Sequence, residues 1–67
     1  MKNIDDIERK YEQLLAKAQD AGNENALHEL ERTAQAIFDF KHDDCGCGEV
    51  MRRQMLKSML NEVEHML

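Results

Sequence analysis

The sequence predicts an all-α fold, and three observations lead to this prediction. Proline is absent, and only three of the 67 residues are aromatic, a composition that suits helices better than sheets. Charged residues make up 34% of the chain. Apolar residues recur at helical spacing in three separate segments. We therefore expect a single domain over residues 1–67, built as a helical hairpin plus a third helix that together form a three-helix bundle.

The first segment is predicted to form a helix over residues 4–21. Its apolar residues recur at alternating steps of three and four, the pattern of a heptad seam. The seam consists of Ile4, Ile7, Tyr11, Leu14, Ala18 and Ala21. Asn3 suits the N-cap position, and Asp5 and Asp6 lie in the first turn, where the helix dipole favours acidic side chains. Gly22 is expected to end this helix, because glycine readily adopts the left-handed conformation.

The second segment is predicted to form a helix over residues 24–41, with Asn23 as its N-cap. So short a connection implies an antiparallel hairpin. The predicted buried stripe consists of Leu27, Leu30, Ala34, Ile37 and Phe38. Phe40 projects about 100° from the centre of this stripe. It is expected either to close the end of the bundle or to contribute to a second contact surface, and we count it among the candidate partner-binding residues.

A loop over residues 42–48 is predicted to precede the third helix. This segment has no helical periodicity and contains two glycines within three residues, a strong break signal. The third helix then covers residues 49–67. A glycine-rich hinge permits this helix either to fold back on its own hairpin or to cross to another subunit, so dimerisation or domain swapping through the third helix is a real alternative.

The apolar residues of the third helix cover about half of its circumference, which is more than one helix of a small core needs. One flank carries Met51, Met55, Met59 and Met66, and the other carries Leu56, Leu60, Val63 and Leu67. We expect the second flank to hold the helix to the hairpin and the methionines to bind a partner, because methionine adapts to varied surfaces. The alternative, in which the methionines are ordinary core residues, stays open.

The loop also carries potential metal ligands. His42, Cys45 and Cys47 place one imidazole and two thiols within six residues, and these are donors that zinc accepts. The cysteines are closer together than in most structural zinc sites, and His28 lies about 20 Å from the loop along the second helix. A tetrahedral site would therefore need a neighbouring aspartate or a second copy of the loop. The other interpretations are an ordinary turn and a reactive thiol.

Composition restricts the classes of function. The formal net charge is −5, without the clustered lysine and arginine that nucleic-acid binding requires. We recognise neither a signal peptide nor a membrane span, and no catalytic grouping or phosphate-binding loop can be assembled. We therefore expect a cytoplasmic, non-enzymatic protein with no small-molecule substrate and no cofactor. It would act as an adaptor, chaperone-like partner or inhibitor of a larger protein, either as a homodimer or as the subunit of a helical complex. The competing expectation is a zinc-binding or thiol-based sensor using the residue 42–48 loop.

Overall fold

The computed structural model describes residues 4–43, 46 and 48–67, and within them it contains three helices. They are α1 (Asp5–Ala21), α2 (Glu24–Lys41) and α3 (Glu49–Met66). The predicted all-α class is confirmed, and the predicted helix bounds agree with the observed ones to within one residue. Asn3, the predicted cap of the first helix, lies outside the described residues; α1 begins at Asp5, with Ile4 in the N-cap position.

The three helices are arranged up, down and up. Glu8 near the start of α1 pairs with Lys41 at the end of α2, which makes these two helices antiparallel. Asp6 and Lys10 pair with Lys57 and Glu64 in the same order along the chain, so α1 and α3 are parallel. The helix α3 contacts both helices of its own hairpin. We call the end with the α1–α2 turn the upper end and the other the lower end.

The α1–α2 turn forms as the sequence predicts. Gly22 adopts the left-handed conformation with φ 65°, and the N–H of Asn23 donates to the carbonyl of Ala18 at 3.1 Å, closing the end of α1. The Asn23 side chain accepts a hydrogen bond from the N–H of Ala26 at 3.1 Å, which confirms it as the cap of α2. Its amide also donates to the carbonyl of Met66 at 3.0 Å. One side chain therefore joins the turn to the end of α3.

The core fills the space between all three helices. Its buried apolar residues are Ile4, Ile7, Leu14, Ala18, Ala26, Leu30, Ile37, Phe40, Leu56, Leu60 and Val63. Thr33 is buried among them, and its hydroxyl donates to the carbonyl of Glu29 at 2.8 Å, so the burial leaves no unsatisfied donor. None of the helices, over the described residues, is both long and apolar enough to cross a bilayer.

The two phenylalanines of α2 differ in burial. Phe38 is 57% exposed, whereas Phe40 is 1% exposed and closes the lower end of the bundle. The predictions of Phe38 as a core residue and of Phe40 as a partner-binding residue are therefore corrected, and Phe40 takes the other place expected for it, at the end of the bundle. The physical reason is that α2 packs against both α1 and α3, so its buried arc extends past Thr33 to Phe40, while Phe38 lies at the edge facing α1.

Two smaller corrections concern helix ends. Ala21, predicted to lie on the seam of the first helix, is exposed. Leu67, predicted on the packing flank of the third helix, is also exposed because it follows the last helical residue, Met66. Both residues have the helical phase of the core but lie at the end of the bundle, where no neighbouring helix covers them.

Candidate functional site

The methionine flank of α3 is defined as Met51, Met55, Met59 and Met66. Met55, Met59 and Met66 line hollows shared with α2, and Met51 has the same helical phase as Met55. Met51 and Met55 are 74% and 65% exposed, and Met66 is 38% exposed. Met59 is partly buried and packs against the core. The four methionines assigned to partner binding therefore share one side of the helix, and three of them are exposed.

The opposite flank of α3 is already buried within the chain. Leu56, Leu60 and Val63 all belong to the core, as the sequence predicts. The bundle is therefore closed without Met51 and Met55. Burying a methionine side chain fully is worth about 1.5–3 kcal/mol relative to leaving it in water. Two largely exposed methionines thus offer apolar surface from which a contacting protein would gain free energy.

The methionine flank borders a groove between α2 and α3. In its lower half, a hollow of about 200 Å³ is lined by Ala36, Met55 and Met59, with Phe40 among its walls. Small-molecule pockets usually have about 300–1,000 Å³, so this hollow suits an inserted side chain better than a free ligand. Higher up, Met66 lines a more polar hollow together with residues of the first half of α2.

Charged contacts fix the lower end of this groove. The guanidinium of Arg52 forms an ion pair with Asp43, which follows α2, and lies over the Phe40 ring at 5.3 Å from its centroid. The guanidinium face and the aromatic ring attract each other electrostatically. Arg52 therefore both links α3 to the end of α2 and covers the buried phenylalanine. These two contacts hold the first turns of α3, which carry Met51 and Met55, against the end of α2.

The other side of α3, facing α1, is charged. Lys10 Nζ lies 2.6 Å from Glu64 Oε2, and Lys57 Nζ lies 3.9 Å from Asp6 Oδ2. The hydrogen bond from Lys10 and its positive charge lower the pKa of Glu64 from its ordinary value of 4.5, since both favour the carboxylate. On this side, charged groups of α3 are matched by charged groups of its own chain.

The predicted metal ligands are only partly described. His42 is exposed after the end of α2, and its ring centroid lies 4.2 Å from that of Phe38. Cys45 and Cys47 lie outside the described residues. Within residues 4–43, 46 and 48–67, no three histidine, cysteine or acidic side chains are grouped to hold a metal ion. Zinc binding by His42, Cys45 and Cys47 stays a prediction.

A second apolar surface was missed by the sequence analysis. Tyr11 and Leu15 of α1 and Leu27 and Phe38 of α2 line a groove on the other side of α2 from the methionine flank. Three of them are partly buried against the core, and Phe38 is exposed. The sequence feature that indicates this surface is Leu15. It lies directly beside the heptad seam and widens the apolar face of α1 toward α2.

Comparisons with protein-family models, with curated proteins and with solved structures found no match for this chain. A functional assignment therefore depends on the two apolar surfaces, their exposure and the charges around them.

Proposed function

We propose that this chain is a cytoplasmic, non-enzymatic protein–protein interaction module that forms a homodimer through the methionine flank of α3. In this proposal the dimer serves a larger protein as an adaptor, chaperone-like subunit or inhibitor. The observation that carries it is the 74% and 65% exposure of Met51 and Met55 on a helix whose other flank is buried. Methionine is well suited to such a surface, because its flexible thioether fits irregular gaps.

The charges of α3 favour a second copy as the occupant of this surface. At helical spacing, Arg52 in the first half of α3 and Glu62 in the second half lie beside the methionine flank, whereas Lys57 and Glu64 face α1 and pair within the chain. Two copies of α3 packed antiparallel would set Arg52 of one near Glu62 of the other. Parallel packing would align like charges, which is unfavourable. A two-fold axis perpendicular to the helix produces the antiparallel arrangement and uses the same surface on both subunits.

The test is the oligomeric state of the reduced protein as a function of concentration. Sedimentation velocity from about 1 µM to 1 mM covers association free energies of about −8 to −4 kcal/mol. We expect a concentration-dependent monomer–dimer equilibrium in the wild type. In a Met51→Lys, Met55→Lys variant we expect a monomer throughout, with unchanged far-UV circular dichroism, because each lysine would carry an ammonium into the interface.

The matched control is Gln54→Lys with Asn61→Lys. It places two lysines on exposed positions of the same helix, outside the methionine flank, so the change in net charge is identical. We expect it to dimerise like the wild type. A wild type that stays monomeric at about 1 mM would overturn the homodimer. A double-methionine variant that still dimerises would place the interface elsewhere, and one that unfolds would assign these methionines to the core.

A further inference from the structure

The groove between α1 and α2 has an apolar floor that runs along most of the hairpin. Its two hollows, of about 460 and 230 Å³, are both lined by Tyr11, so they adjoin each other at this side chain. Leu15 and Leu27 line the upper hollow, and Phe38 lines the lower one. Leu27 and Phe38 are eleven residues apart on α2, which corresponds to about 16 Å along the helix axis. This is the length of three helical turns.

The rim of this groove is acidic. Glu8 and Glu12 contribute from α1, and Glu24 and Glu31 contribute from α2. Lys41 stands at the lower end, 3.6 Å from Glu8. With histidine counted as neutral, four glutamates and one lysine give the groove lining a formal charge of −3, which is most of the −5 carried by the whole chain. The lining of this apolar groove is thus net negative.

We propose that this groove binds a basic amphipathic helix of a partner protein. An apolar floor with an acidic rim is complementary to a helix whose apolar stripe is flanked by lysine and arginine. The groove length fits a partner segment of three to four turns, with apolar residues spaced at i, i+4, i+7 and i+11. Nucleic acid and anionic membranes are disfavoured as occupants, because their phosphates would face the glutamates.

This proposal does not depend on the homodimer. Tyr11, Leu15 and Phe38 lie in the groove on one side of α2, and the methionine flank borders the groove on its other side. Both surfaces can therefore be occupied at the same time. A dimer would present two copies of the acidic groove, which gives an adaptor two sites for basic helices.

The position of Tyr11 allows a direct binding assay. It is the only tyrosine, and the chain has no tryptophan, so intrinsic fluorescence reports on the groove itself. The probe is a helical peptide of about fourteen residues with leucine at the four apolar positions above and lysine elsewhere. Its counterpart has the same leucines with glutamate in place of lysine. At about 0.15 M salt, we expect the lysine peptide to change Tyr11 fluorescence and to bind at least about tenfold more tightly than the glutamate peptide.

Two variants locate the bound peptide. Phe38→Ala should weaken binding about tenfold, because an exposed aromatic residue is a typical anchor, and its exposure means that the fold should tolerate the change. Glu12→Gln with Glu31→Gln should weaken binding about fivefold to tenfold through lost charge pairing. The matched control, Asp5→Asn with Asp20→Asn, makes the same change in net charge at exposed positions outside the groove lining and should stay within about twofold of wild type.

The outcomes separate a specific groove from general attraction between opposite charges. In support, the amide shifts of Leu27 and Phe38 should move in two-dimensional NMR spectra when the lysine peptide is added, and the Met51→Lys, Met55→Lys variant should still bind it. Equal binding of both peptides, an equal loss in the matched control or an unaffected Phe38→Ala variant would overturn the proposal. Failure of the homodimer test would leave each of these results unchanged.

Discussion

The helix α3 packs against α1 along one seam and against α2 along another, where a seam is the line of contact between two helices. The two seams adjoin the same core but differ in the side chains that border them on the solvent side. The seam with α1 is bordered by the pairs Lys10–Glu64 and Lys57–Asp6. The seam with α2 has the Arg52–Asp43 pair at its lower end and is otherwise bordered by methionines, two of them largely exposed. Both seams adjoin leucines of α3, since Leu60 lines the hollow beside Lys10 and Leu56 lines the hollow beside Met55. The two seams share a core but present opposite chemistry to the solvent.

This difference indicates which of the two seams has its outer side chains paired within the chain. Charged groups that meet partners across the α1 seam need no further contact, and their net contribution to stability is small because water competes for them. Exposed methionines gain nothing from the fold and would gain from burial against another protein. Core packing alone does not distinguish the two seams. What distinguishes them is whether the outer side chains find partners inside the same molecule.

The largest effect should come from Leu60→Ala, which damages the shared core. Truncating a buried leucine costs about 2–5 kcal/mol, and a domain of this size seldom has more than about 3–5 kcal/mol in total. We expect denaturant unfolding followed by circular dichroism to show a largely unfolded variant. The control Met55→Ala, at an exposed position, should change the free energy of unfolding by less than about 0.5 kcal/mol. Similar losses in both variants would show that the methionine flank is part of the intramolecular core.

An intermediate effect is expected from Asn23→Ala. This change removes the cap of α2 and the hydrogen bond to Met66 that fastens the upper end of α3. Loss of an asparagine cap costs about 0.5–2 kcal/mol, and each kcal/mol lowers the melting temperature of a small domain by about 4–8 °C. Thermal unfolding should show this decrease. Asn25→Ala, two residues further on at an exposed helical position, should be neutral or slightly stabilising; a decrease of equal size there would argue against a capping role.

The smallest effect on stability should come from Lys10→Gln in the α1 seam. Lys10 lowers the pKa of Glu64, so the ion pair stabilises the folded protein above the ordinary pKa of 4.5 and loses this contribution as the pH falls through the lowered value. In the variant, the pKa of Glu64 should rise toward 4.5 in an NMR titration of its carboxyl carbon. Lys17→Gln is the control, because Lys17 acts on Glu64 more weakly and through charge alone. Identical titration of Glu64 in wild type and Lys10→Gln would contradict the pairing.

The helices could be predicted from the sequence because their signals are local. Heptad spacing, the Gly22-Asn23 turn and the glycines before α3 each act within a few residues of the structure they specify. The buried arc of α2 could not be predicted in the same way, since it depends on the position of α3. A stripe drawn for a two-helix hairpin includes Phe38 and omits Phe40. Thr33 lies in the middle of the observed buried arc. Because it is polar, the apolar pattern of the sequence does not extend the arc from Leu30 to Phe40.

The two apolar surfaces differ in how far the sequence revealed them. The methionine flank could be predicted because α3 carries more apolar residues than one helix of a small core needs. The groove of Tyr11, Leu15, Leu27 and Phe38 could not, because its residues come from two helices and the acidic rim forms only when α1 and α2 pack together. A single-helix pattern contains no information about which charges from different helices will adjoin one groove.

The odd number of helices has a consequence for the ends of the bundle. Because the helices run up, down and up, Ile4 lies at the lower end and Leu67 at the upper end, and the longest dimension of the molecule is 37 Å. Proteins fused before Ile4 and after Leu67 would be held apart by the length of the bundle, whereas a two-helix or four-helix arrangement would return both to the same end. The bundle would therefore separate two such fused proteins by a defined length, with its two apolar surfaces facing sideways between them.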